Sequence, residues 1–459
     1  MKHADLKYLS FPLPENVMKE KWSGNFDRAR EIIKRMIEKE DTLPALKARL
    51  EMELNSLDYI EDRYSVSEEE ALKILRARIP DMTAEELEKL RTEDKADWMY
   101  INGKVMYIDC FSDTLYKVYP SIWNRLPEGD RSDYSAIQHI AETVSDGQKM
   151  TAHIHIRQEF RIKDDAVRPG ETVFVRLPLP VERGSVTNLN VISMSASCKS
   201  MPRQSSMQPV AYFEAEAKHG QCFFVEYEMD NTIVYKDLTE AKYSGGAGAK
   251  LPEEAAAYLA EEPPHILFTP YLKSLCAAVT GDEKDPLRKA RKIYDYITTG
   301  TDYRFVRDYC SIDNLTEYCA VNRRGDCGLQ ALLFITLCRI AGIPARWQSG
   351  LDAKPGDIGE HDWAMFYTDK AGWRYADLSY GGSSYIRGAL KRWDFFFGNA
   401  DPYRIPINEG FQKEFDIPGK YPRIDPYDNQ CGEAEYADHG LKNRDVEYEY
   451  KEIEIRLSE

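Results

Sequence analysis

The stretch Asn322-Arg323-Arg324-Gly325-Asp326-Cys327-Gly328-Leu329-Gln330-Ala331-Leu332-Leu333-Phe334-Ile335-Thr336-Leu337-Cys338-Arg339-Ile340-Ala341-Gly342-Ile343-Pro344 decides the fold. Asp326 is a natural helix N-cap, Gly342 suits the position just past a helix end, and Pro344 stops the chain from continuing. Between them lies a helix apolar on nearly all sides, which predicts that it runs through a core. Cys327 then sits in the first turn, where unpaired N–H groups and a charge of roughly +0.5 favour a thiolate. Arg323 and Arg324 are expected to add to this effect. Gly325 and Gly328 leave backbone space beside the sulfur, and the cysteine N–H is a ready oxyanion donor. Cys338, further along in the apolar interior, reads as structural. Cys310 and Cys319 precede the helix and abut no helix start.

A thiol nucleophile needs a base, and the base needs an orienting group. The next histidine is His361, in Glu360-His361-Asp362-Trp363-Ala364-Met365-Phe366-Tyr367. After the turn Thr368-Asp369-Lys370-Ala371-Gly372 comes Trp373-Arg374-Tyr375-Ala376-Asp377, so the segment reads as a β-hairpin. With its centre near 369 or 370, paired residue numbers sum to 738 or 740. Both sums are even, which puts His361 and Asp377 on one sheet face, opposite or nearly so. An odd sum would separate them.

Working outward, residues 1–145 read as a mostly helical domain with one hairpin. Ala29, Ile32, Ile33, Met36 and Ile37 form one apolar stripe. Ser67-x-x-Glu70 and Thr83-x-x-Glu86 are capping boxes, Asn102-Gly103 is a hairpin turn, and a further helix is expected around 113–119. This unit carries no catalytic constellation and reads as scaffold or recognition domain. From about residue 148 the period changes to two: Ala152, Ile154, Ile156, Phe160 and Ile162 alternate with polar residues. Further strands near 173–179, 186–194, 209–215, 222–229 and 232–236 predict an antiparallel β-sandwich over 146–243. His153 and His155 share its wet face at a metal-compatible spacing, but without a third ligand they read as surface histidines. Ser244-Gly245-Gly246-Ala247-Gly248-Ala249 marks a boundary. A catalytic domain is expected over 250–405, with helices near 252–260, 269–279 and 285–298. Residues 406–459 form a C-terminal extension expected to pack on a sheet without contributing to catalysis. Its alternation shifts phase between Tyr450 and Ile453, which predicts a bulge or turn.

Composition narrows the function. The 459 residues are 43% hydrophobic and 30% charged, with a formal net charge of −16. Such a balance argues against nucleic acid as a partner and against anionic membrane surfaces. Nowhere do 18 apolar residues run together, and Met1-Lys2-His3-Ala4-Asp5 opens no signal peptide. The nine cysteines contain no C-x-x-C pair, so free thiols in a reducing cytoplasm are the simplest account. The oligomeric state is not determined by these features.

Gly325-Asp326-Cys327, Gly342-Ile343-Pro344-Ala345-Arg346, His361-Asp362-Trp363, Gly372-Trp373 and Asp377 together resemble the transglutaminase-like superfamily of papain-type cysteine enzymes, in order and spacing. Phe174-Val175-Arg176-Leu177-Pro178-Leu179-Pro180 is similar to the sandwich that precedes the core in bacterial multidomain members. The resemblance implies a multidomain α+β protein: a helical N-terminal domain, an antiparallel sandwich, and a papain-like core with the cysteine helix packed on an antiparallel sheet. It implies that Cys327 attacks an amide carbonyl to form a thioester, that His361 relays the proton, and that Asp377 orients the imidazole. Leu378 stands where the family often has Pro. Tyr318 and Asn322 are candidates for the family's side-chain oxyanion donor, and Trp347, Trp363, Tyr380 and Tyr385 are candidates for the substrate cleft. Nothing resembles the calcium sites of animal cross-linking enzymes, so neither metal nor cofactor is expected. The leading expectation is a cytoplasmic peptidase or amidase acting on a peptide or protein. The alternatives are a protein-glutamine transglutaminase and a peptide-binding or assembly module without turnover. Iodoacetamide is expected to modify Cys327 well below pH 8 while Cys338 stays protected.

Overall fold

The computed structural model describes residues 3–239, 241–245 and 250–458. Met1 and Lys2 of the N-terminal reading, and 246–249 of the glycine-rich boundary, lie outside the described residues.

The helical unit follows its local signals. Helices Phe26–Glu38, Pro44–Arg63, Glu68–Arg78 and Ala84–Thr92 bury Phe26, Ala29, Ile33, Leu50, Leu57, Leu75 and Leu87 against one another. Both capping boxes form reciprocally: Glu70 N donates to the Ser67 hydroxyl, and Glu86 N to that of Thr83. Trp98–Ile101 and Lys104–Tyr107 pair through a two-residue turn in which Asn102 and Gly103 both have positive φ, 47° and 82°. That geometry matches the twist of a tight hairpin. The helix expected around 113–119 is Phe111–Val118.

Two four-stranded antiparallel sheets form the sandwich. One runs Val446–Leu457, Lys149–Ile162, Cys222–Val234, Val186–Met194; the other runs Glu433–Tyr436, Thr172–Pro178, Val210–Glu216, Cys198–Ser200. Cys222–Val234 is one continuous strand where two were expected, near 222–229 and 232–236. The polar pair that suggested a break is satisfied within the sheet. Asp230 accepts from His153, and the Asn231 amide donates to the carbonyl of Pro402. Residues 406–459 do not pack on a single sheet; they supply a strand to each. The phase shift in the final strand is a bulge between Glu452 and Glu454.

The third sheet has five antiparallel strands in the order Phe397–Gly398, Gly372–Ala376, Asp357–Thr368, Ala345–Lys354, Arg404–Asn408. Arg404–Asn408 crosses the boundary expected at 405, because Ser349–Asp352 of the neighbouring strand need its backbone as a partner. Against this sheet packs the cysteine helix, Cys327–Ile340, with Gly328 through Arg339 all buried. Asp326 caps it by accepting from Leu329 N, and Gly342 beyond its end has φ +81°. Among the described residues no helix is long and apolar enough to cross a membrane.

Candidate active site

Hairpin register fixes the first pair. Ala364 faces Ala376 and Thr368 faces Gly372, so paired numbers sum to 740. Asp377, one residue beyond the strand, therefore emerges on the face of His361. His361 Nε2 lies 2.7 Å from Asp377 Oδ2, and both groups are buried. With the Nε2 proton directed at the carboxylate, Nδ1 is the basic nitrogen. Asp377 also caps the helix Leu378–Ile386, its Oδ1 accepting from Tyr380 N at 3.0 Å. Arg404 adds a guanidinium nitrogen 2.9 Å from Asp377 Oδ2 and 2.9 Å from Asp401 Oδ2. Burial alone would raise the Asp377 carboxyl, but the charges of His361 and Arg404 hold it well below the usual carboxylate range.

Cys327 opens its helix as the sequence predicts and is partly exposed. Its thiol donates to Asp362 Oδ2 at 3.5 Å; among the described residues it makes no hydrogen bond to His361. Burial, followed by the charges of Asp362 and Asp326, pushes this thiol well above its ordinary range. That direction runs against the thiolate expected from the helix start alone. Neither arginine supplies the anticipated charge: Arg323 takes a left-handed backbone and donates to Gly300 O at 2.9 Å, while Arg324 is paired with Asp94. Carboxyls surround the helix start instead. Asp326 accepts from the Tyr309 hydroxyl at 2.5 Å, and burial moves it up to about 6. Asp362 is raised well above its usual value by burial and then by Asp428, Asp326 and Asp425. Gly328 is required here, since a Cβ would stand 2.2 Å from the Tyr309 hydroxyl.

Two functional neighbours were not foreseen. Tyr303 lies on the two-residue strand Asp302–Tyr303, which pairs in parallel with Arg324–Gly325 just before the cysteine. Its phenol interacts with the Cys327 thiol. No sequence periodicity marks so short a bridge. Gln430, from the C-terminal extension, donates through Nε2 to Gly350 O at 2.8 Å, His361 O at 3.0 Å and Asp362 Oδ1 at 3.1 Å. The extension thus reaches the residues beside the thiol as well as packing on the sheets.

The remaining sequence candidates divide. Tyr380 presents its ring edge-on to His361 at 5.1 Å, bonds to Asp352 and accepts from Lys354 Nζ at 2.6 Å. It lines a cleft of about 900 Å³, together with His361 and Tyr303, between the five-stranded sheet and residues 117–137 of the helical unit. Trp347 and Trp363 are core residues, 2% and 1% exposed; Trp363 donates to Gln348 Oε1 and Trp347 packs on Phe411. Tyr385 packs on Trp393, outside the cleft wall. Tyr318 faces Arg307 and Arg324, and Asn322 donates to the Tyr318 carbonyl, so neither is turned to the thiol. Cys338 is buried beside Cys276 in the core. His153 and His155 pair with Asp230 and Glu226, and no metal-holding group of three or more His, Cys, Asp or Glu occurs among the described residues.

Solved structures overlap the fold in part. A protein from Cytophaga hutchinsonii, whose name assigns it provisionally to the cysteine proteases, has a TM-score of 0.44 and 14% identity over 68% of this chain and 91% of its own. The periplasmic domain of TgpA from Pseudomonas aeruginosa has a TM-score of 0.29 and 12% identity over 57% of this chain and 95% of its own. None of the curated proteins matches. Residues 273–378, which hold the cysteine helix and the His361–Asp377 hairpin, match the model of the transglutaminase-like superfamily. The chain therefore carries a transglutaminase-like core.

Proposed function

We propose that the protein is a cysteine-dependent hydrolase of peptide or amide bonds. The observation that carries this reading is the buried 2.7 Å pair of His361 and Asp377, set beside a cysteine at the start of a core helix. This reading requires the thiol to leave Asp362 and turn toward Nδ1 of His361, a change of cysteine rotamer. Because burial holds the sulfur protonated, its proton passes to His361 as the sulfur attacks the carbonyl carbon. The oxyanion is met by the Cys327 N–H and the Tyr303 phenol. His361 then returns the proton to the leaving amine, and a thioester remains on Cys327. Water, deprotonated by the same imidazole, cleaves the thioester, releasing the acid and restoring the thiol. Asp377 keeps the imidazole in the required tautomer throughout. Nine unpaired cysteines support a reducing compartment, and we place the protein in the cytoplasm on that ground.

The test is a panel of dye-labelled peptides incubated with the parent chain and with Cys327→Ala, alongside a fluorescent primary amine and a glutamine-bearing protein. Amine release that depends on Cys327 supports hydrolysis. Incorporation of the fluorescent amine in preference to hydrolysis makes the protein a transglutaminase. Neither reaction with any acceptor leaves a peptide-binding module.

A further inference from the structure

The cleft leading to His361 is lined by five cations and five carboxylates, but among the described residues three of those cations stand together without an ion pair. Lys117, Arg131 and Arg387 line it, and among the described residues none has a carboxylate partner. Lys117 lies over the Phe305 ring at 5.0 Å. Arg131 donates only to the carbonyls of Asn124 and Leu126. Arg387 bonds to Ser383 and to the Lys117 carbonyl, and its buried Nε has no acceptor. Arg392, behind them, bonds to the Ser384 hydroxyl.

These guanidinium groups are held in place by rings rather than by counter-ions. Arg131 and Arg387 lie 5.3 and 5.5 Å from Trp123, while Arg387 and Arg392 lie 5.1 and 4.7 Å from Tyr134. Meanwhile the carboxylates on the cleft wall are engaged. Asp130 meets Arg78 at 4.0 Å and Lys354 takes Asp352 and Asp357, while Asp133 accepts from Ser135 N and Glu360 from the Tyr450 hydroxyl, neutral donors that leave both carboxylates charged. In a chain with net charge −16, Lys117, Arg131, Arg387 and Arg392 form a group of cations with no ion-paired carboxylate among the described residues, an arrangement that an external anion would complete. The planar fork of arginine matches a carboxylate.

We propose that this cluster recognises an acidic substrate, a peptide carrying a carboxylate a few residues from the bond that is attacked. The distance follows from a ladder of rings: Tyr134 meets Tyr380 at 6.1 Å, and Tyr380 meets His361 at 5.1 Å. An extended peptide advances about 3.3 Å per residue, so the carboxylate belongs within about five residues of the scissile amide. Recognition rests on the hydrolase reading only for where the bond is cut; the binding itself does not.

Full-length Cys327→Ala is titrated into fluorescein-labelled peptides, read by anisotropy. One Glu is scanned through five positions, each peptide is matched by its Gln counterpart, and each is made with a free and an amidated C-terminus. Binding about tenfold tighter for Glu than for Gln identifies a side-chain carboxylate as the ligand, and the same gain for the free terminus alone identifies the terminal one. Either preference is expected to disappear on adding Lys117→Gln, an exposed position, and to shrink with Arg387→Lys, which keeps the charge but loses the fork. Equal binding of all peptides, or a preference unchanged in both variants, overturns the proposal. Turnover is followed in parallel with the parent chain. Charge-dependent binding without any chemistry would sink the hydrolase reading and leave recognition standing; cleavage indifferent to charge would do the reverse.

Discussion

Arg404 places a guanidinium nitrogen 2.9 Å from the Asp377 oxygen that also binds His361, so one buried carboxylate oxygen is shared by an imidazole and a permanent cation. The carboxylate is kept ionised by both. Asp377→Asn is expected to lower kcat by about 10³-fold or more, because an amide can stabilise the wrong imidazole tautomer. Steady-state kinetics on any substrate cleaved by the parent check this, and a loss under tenfold would remove Asp377 from the orienting role.

Arg404→Met tests the other side of that contact. It leaves Asp377 and Asp401 buried without their shared partner, and losing one member of such a cluster costs about 3–5 kcal/mol. Thermal unfolding is expected to shift sharply downward. An unchanged Tm would mean that water replaces the guanidinium.

Gln430 tethers the two strands that carry the site. Gln430→Leu removes the donor to Gly350 O, His361 O and Asp362, and an orphaned buried acceptor costs about 1–3 kcal/mol. kcat is expected to fall about tenfold with little change in KM. Gln430→Glu should be worse, since it sets another carboxyl against Asp362. Kinetic constants unaltered in both variants would reduce the extension to a passive cover.

Alkylation kinetics report on the sulfur. With its thiol raised by burial and by Asp362 and Asp326, Cys327 is expected to react with iodoacetamide ever faster through pH 9, without a plateau below pH 8. Cys338, fully buried, should stay unmodified until the chain unfolds. A plateau near pH 7 at Cys327 would restore the thiolate predicted from the helix start alone.

Stability should fall as pH rises across neutrality. Burial raises Asp326 and Asp308 to about 6 and Glu433 to about 7, and Asp428 moves in the same direction. Each binds its proton more tightly folded than unfolded. Their contribution is complete below the ordinary carboxylate range and is lost as pH climbs through 6 to 7. Groups held low, such as Asp377 and Glu159, matter only in more acidic solution. Asp428→Asn should flatten the decline in Tm between pH 5 and 8, by about 2 °C or more at the upper end. Parallel Tm profiles for variant and parent would show that this carboxyl is not protonated in the fold.

Local signals proved readable where one short segment decides the outcome. Asp326 and Gly342 bound their helix as a cap and a left-handed residue must, and the even register sum placed His361 and Asp377 together. Side chains delivered by distant segments were not readable. Tyr303 reaches the thiol through a two-residue bridge, Arg404 arrives on a strand that completes a sheet, and Gln430 comes from a segment with no periodic pattern. The carboxyl beside the thiol was unreadable for the same reason, because the dipole of the helix is local while Asp362 is brought in from the hairpin. Trp347 and Trp363 flank the chemistry in sequence but turn into the core.

The closing strand Val446–Leu457 lies along Lys149–Ile162, and Glu433–Tyr436 along Thr172–Pro178. During translation, two early strands therefore wait with one edge bare until nearly all of the intervening chain has left the ribosome. Gln430 precedes those strands and can be anchored only when they dock. A chain cut short before residue 433 would therefore lack one outer strand of each sandwich sheet and leave two β-edges open to pairing with other chains.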